Sequence, residues 1–77
     1  MTLELLDVVI LQRDLPAHWL VAGDLGTVVE LSEDGSAEVE FVCASGRTQA
    51  LVELAVSDLR EVGDEDLLAV RQVDRVA

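Results

Sequence analysis

Two glycines three residues apart, Gly23 and Gly26, lead straight into Thr27-Val28-Val29, and no other stretch of the chain restricts its fold as tightly. Glycine reaches backbone conformations closed to other residues, so the pair is expected to turn the chain ahead of a β-branched run that favours extended backbone. A strand that starts this abruptly is the entry signal of a small β-barrel. The same pattern argues against a phosphate cradle. Dinucleotide and P-loop sites place their glycines between a strand and a helix N-terminus, with further Gly, Lys or Ser at set spacings.

The rest of the chain supplies matching elements. Leu6-Asp7-Val8-Val9-Ile10-Leu11 reads as a first strand buried on much of both faces. Arg13 to Ala22 reads as a long loop, because Pro16 has no amide to give a ladder and biases Leu15 towards extended geometry. A second strand is expected from Gly26 to Ser32, closed by the hairpin signal Glu33-Asp34-Gly35. The third, Ala37 to Cys43, alternates, with Val39, Phe41 and Cys43 on one face and Glu38 and Glu40 on the other. After a turn at Ser45-Gly46, a fourth strand from Arg47 to Leu54 turns Ala50, Val52 and Leu54 inward and Gln49 and Glu53 outward. This register leaves Val9, Leu11 and Leu51 on the outer side.

A short 3-10 turn near residues 56–58 then precedes a last strand, Leu59 to Val62. The expectation is an all-β fold, a small SH3-like five-stranded barrel with a long loop after the first strand. Residues 1–62 make the barrel, and 63–77 make a C-terminal extension packed on it. In that extension Asp64-Glu65-Asp66 caps a short helix, or, the preferred reading, a turn leads into an edge strand through Ala69-Val70-Arg71-Gln72-Val73.

Length and composition narrow the function. Seventy-seven residues make one domain, and such a chain buries only ~60–65% of its unfolded surface, which leaves little room for a deep catalytic cleft. No apolar run approaches the ~18–20 residues of a membrane helix. Met1-Thr2-Leu3-Glu4 lacks the basic start of a signal peptide, and the lone Cys43 has no intrachain disulfide partner. A cytoplasmic protein is expected. Sixteen Asp and Glu face five Arg and no Lys, for a net charge of −11. That field disfavours nucleic acid and anionic membrane surfaces and favours a basic protein partner.

Several segments carry a resemblance in order along the chain: Leu6-Asp-Val-Val-Ile, Asp14-Leu-Pro, Ala22-Gly-Asp-Leu-Gly-Thr-Val-Val-Glu, Glu38-Val-Glu-Phe-Val, Gly46-Arg-Thr, Ala50-Leu and Leu59-Arg. Over about Leu6 to Val62 the chain resembles the small bacterial family catalogued as domain of unknown function 4926. It departs at Ala37, where similar sequences often carry an aromatic, and at Gln49, where they carry an aliphatic. The resemblance implies an SH3-like barrel similar to the β-subunit domain of nitrile hydratases, and it implies no activity. Nitrile hydratase chemistry needs a cysteine-rich metal loop from another subunit, which this chain lacks. Members of such small acidic families resemble neighbours of toxins in bacterial genomes.

No catalytic, cofactor-binding or metal-ligating residues are expected. His18 is the sole histidine, with no Cys or acidic residue at a metal-ligand spacing. Cys43 paired with His18 as nucleophile and base requires a loop and a strand to meet, whereas a buried reduced thiol acts as a small hydrophobe. The Gly-x-x-Gly-Thr-Val-Val pattern is also similar to the strand entry of ribosome-associated KOW barrels, but these use basic loops and Arg13 alone does not make one.

The candidate partner-binding residues are Glu38, Glu40 and Glu53 on one outer face, with Glu30 nearby, and His18 and Trp19 on the long loop. The leading expectation is a non-enzymatic, acidic protein-binding module of antitoxin or immunity type that neutralises a basic partner. The alternative is an accessory domain, without activity of its own, that packs on a metalloenzyme subunit. Exposed apolar edges also make a homodimer an expected option.

Overall fold

The β-branched runs separated by Gly- and Asp-containing turns give five strands in the computed structural model, which describes residues 2–73. They are β1 (Val8–Leu11), β2 (Leu25–Leu31), β3 (Ser36–Val42), β4 (Thr48–Ala55) and β5 (Leu59–Glu61). Two 3-10 turns, Pro16–His18 and Val56–Asp58, are the helical elements among the described residues. One sheet forms in the order β4-β3-β2-β1-β5, and every pairing in it is antiparallel. The first four strands are thus a meander, and the turn at Val56–Asp58 returns β5 to the free side of β1.

Side chains from all five strands meet in one core: Val9 and Leu11, Val28, Ala37, Val39 and Phe41, Ala50 and Leu54, and Leu59. Leu15 and Leu20 of the long loop join it and are 8% and 3% exposed. The all-β, five-stranded expectation therefore holds, with the long loop after β1 and the 3-10 turn where they were read. The ladder itself stays open. β4 and β5 end the sheet, so its curl is held by core packing rather than by a closing row of backbone hydrogen bonds.

Three local readings need correction. Val9 and Leu11, expected on the outer side, are 0% and 1% exposed and face the core. A strand apolar on both faces does not reveal its own register; pairing with β2, where Val9 lies opposite Gly26, sets it. β1 also starts at Val8 rather than Leu6. Leu6 instead occupies a left-handed turn with φ of 71° and donates its amide to the Val28 carbonyl at 2.7 Å.

The third correction concerns the glycines. Gly23, with φ of 101°, does make the turn. Gly26 does not need a left-handed backbone. A Cβ placed on it would run into Val39 Cγ1 and would lie 2.9 Å from Phe41 Cε2. Its task is to let β3 side chains lie against β2.

Beyond β5 the described residues, 62–73, form neither the helix nor the edge strand that the sequence suggested. Gly63 donates its amide to Asp66 Oδ2 at 2.6 Å, and the Asp66 amide donates back to the Gly63 carbonyl at 3.1 Å, closing a turn. Asp66 is used in that turn instead of capping a helix. Residues 67–73 then run on without a ladder partner. Positions 74–77 of the anticipated extension lie outside the described residues.

Candidate functional site: an acidic sheet face

Glu38 sits on the central part of β3 with a glutamate on either side. Its partner on β2 is Glu30 and its partner on β4 is Glu53. Directly opposite residues share a face, with Cβ atoms ~4.5–5.5 Å apart, so three carboxylates cross three strands as one row. An irregularity in β2 produces this alignment. Val28 pairs with Val39, but the next pair is Glu30 with Glu38, which leaves Val29 as an extra residue.

One step towards the end of β3, Glu40 lies between Thr27 and Leu51. Its Oε2 accepts a hydrogen bond from Thr48 Oγ1 at 2.6 Å. The ion pairs among the described residues join Arg13 to Asp58 at 3.1 Å, Arg60 to Asp66 at 2.7 Å and Arg71 to Asp24. None of them neutralises Glu30, Glu38, Glu40 or Glu53.

The loop candidates lie elsewhere. The Leu15–Leu20 bridge closes the loop on itself, and Trp19 ends its 3-10 turn in a left-handed conformation, φ 55°, with its amide donating to the Pro16 carbonyl at 3.2 Å. Trp19 is 48% exposed. Gln49 Nε2 donates to the His18 carbonyl at 3.1 Å, which ties the loop to the start of β4. Gln49 is the extra residue of a second irregularity, beside Phe41 and Val42. His18 and Trp19 therefore flank the Val42 end of β3, whereas Glu38 lies four residues back, about 13 Å along the strand. The five candidate partner-binding residues thus lie in two places, the acidic face and the loop beside the Val42 end of β3.

Cys43 is partly buried near the same end. Arg47 donates to its Sγ at 3.2 Å and to Gln49 Oε1 at 3.3 Å. His18 meets this cluster through its main-chain carbonyl. No group of three or more His, Cys, Asp or Glu among the described residues is placed to hold a metal ion.

Sequence reasoning missed a strap. Arg60 grips Asp66 with two nitrogens, at 2.9 and 2.7 Å. Arg71 grips Asp24 through Nε at 2.7 Å and through its NH2 group, which also donates to the Trp19 carbonyl at 3.2 Å. The segment from Asp66 to Arg71 is thus latched at both ends, from β5 to the turn before β2. The contact of Arg71 with Asp24 spans 47 residues, and no local spacing announces such a pair.

The latches make the strap acid-sensitive. Burial raises the Asp24 carboxyl, but hydrogen bonds from Arg71 and the Val21 amide more than offset this and leave it below its ordinary value. Hydrogen bonds from Arg60 and the Gly63 amide lower Asp66 strongly. A depressed folded pKa gives an interaction fully present above the unfolded value, about 3.9, and lost as pH falls through the folded one. Amide signals of residues 66–73 are therefore expected to shift only below about pH 4. Movement of the strap signals between pH 7 and 5 would contradict this latch.

No curated protein and no solved structure matches the chain. A family model described as Domain of unknown function (DUF4926) matches residues 5–61. That span contains all five strands and the acidic row, and it ends before the strap.

Proposed function

Because the chain belongs to the family of domain of unknown function 4926, whose description names no activity, we propose from its surface that it is a non-enzymatic protein-binding module that takes a basic protein partner. The Glu30–Glu38–Glu53 row carries this reading. Like charges directly opposite one another in a sheet destabilise it. A partner bearing Arg or Lys removes that repulsion, and it is steered in by the net charge of −11. Neutralisation of a basic toxin in the bacterial cytoplasm, as an antitoxin or immunity protein, is the role that fits best. The reduced thiol of Cys43 is compatible with that compartment.

The reading has a two-sided signature. Reversing the central Glu38 to lysine is expected to stabilise the isolated protein by up to ~1 kcal/mol, because its cross-strand repulsions with Glu30 and Glu53 both become attractions. The same change is expected to abolish capture of a host protein that binds the parent at low salt and elutes at high salt. Thermal unfolding and pull-down with mass spectrometry read the two effects. Salt-eluted capture that survives the reversal would rule out the acidic face as the docking surface.

A further inference from the structure

The strap crosses an apolar part of the outer sheet face. Ile10 and Leu25 are opposite each other on β1 and β2, and Val42 ends β3 beside the same groove. Between this floor and the strap lies an open cavity of about 790 Å³, inside the ~300–1,000 Å³ range of small-molecule sites. Leu25 and Val42 are 39% and 49% exposed, and Leu67 and Leu68 of the strap are 93% and 72% exposed. Ile10 beneath them is buried, so the uncovered apolar surface of the groove among the described residues is that of Leu25, Val42 and the strap leucines.

Its charge is unlike the rest of the molecule. Arg47, Arg60 and Arg71, three of only five basic residues in the chain, line it. Arg60 and Arg71 are engaged by Asp66 and Asp24. Arg47 has no carboxylate partner among the described residues; its guanidinium donates only to the neutral acceptors Cys43 Sγ and Gln49 Oε1. In a chain of net charge −11, a cation without a carboxylate partner among the described residues, beside an apolar floor, is a local exception, and it complements an anion.

We propose that the groove binds a linear amphiphilic carboxylate, with its apolar tail along Ile10, Leu25 and Val42 under the strap and its carboxylate on Arg47. Each half of the ligand answers one half of the site. The tail covers uncovered apolar surface, and the head supplies the charge that Arg47 lacks. The site shares no residue with the acidic row, so it stands or falls apart from the basic-partner reading.

Titration of the full chain with decanoate at neutral pH, below its micellar concentration and followed by amide chemical shifts, tests the proposal. Saturable shifts confined to Ile10, Leu25, Val42, Arg47 and the strap are expected, with decanol bound about tenfold more weakly. Arg47→Gln, checked for folding by circular dichroism, is expected to weaken decanoate to the level of decanol and to leave decanol unchanged. No saturable shift, shifts spread over the whole surface, or decanoate binding untouched by Arg47→Gln would each overturn it.

Discussion

Gly26→Ala is expected to lower stability by ~1–3 kcal/mol, although it adds only a methyl group. The new Cβ would collide with Val39 Cγ1 and meet Phe41 at 2.9 Å, and both neighbours are buried in the core. The sign separates two explanations of this glycine. Where a glycine's backbone suits alanine and space is open, the substitution gains ~0.4–1 kcal/mol by restricting the unfolded chain. Gly63, whose nearest neighbour to a new Cβ is Asp66 Oδ2 at 3.5 Å, is the control, and Gly63→Ala should be neutral or slightly stabilising. For a domain of this size each kcal/mol moves the melting temperature by roughly 4–8 °C, so calorimetry resolves the difference. A melting temperature for Gly26→Ala at or above that of the parent would show that the two strands separate freely and that the close approach is not required.

Phe41→Ala is expected to be the more damaging change, at ~3–5 kcal/mol. Phe41 is 2% exposed and is the only phenylalanine of the chain, with its ring against Gly26. No second aromatic of the core is available to collapse into the void. A 77-residue domain has roughly 4–12 kcal/mol of total stability, so the variant should be largely unfolded or melt only a little above ambient temperature. Urea unfolding followed by far-ultraviolet circular dichroism measures this. The two sites should also couple. Phe41→Leu removes the ring edge that a Cβ at position 26 would strike, so the Gly26→Ala, Phe41→Leu double variant is expected to be more stable than the sum of the single effects. Strict additivity would mean that the collision is relieved by Val39 instead.

The strands and their turns were legible because their signals are local. Alternation in Ala37 to Cys43 gave the inward Val39 and Phe41 and the outward Glu38 and Glu40, and the Asp34-Gly35 pair marked the hairpin. The acidic row was partly legible for the same reason, since Glu38 and Glu53 lie on alternating strands. What failed depends on distant contacts. Val9 and Leu11 were placed on the wrong side because a strand with apolar residues at every position carries no phase of its own, and Gly26 supplies it from β2. The strap was missed because its latches pair Arg71 with Asp24 and Arg60 with Asp66. Alternation in Ala69 to Val73 suggested a strand, yet a strand needs a neighbouring ladder as well as a pattern.

The extra residue in β2 has a consequence for how chains of this fold can change length. Without it, strict alternation from Val28, which faces inward, would carry Glu30 into the core and Val29 to water. The irregularity absorbs one position and restores the phase, so Leu31 still pairs with Ala37 while Gly26 still pairs with Val9. It is a point where a single insertion or deletion is absorbed locally instead of inverting a whole strand. Variation in strand length between related chains is expected to concentrate there, with the carboxylates of β3 and β4 left in place.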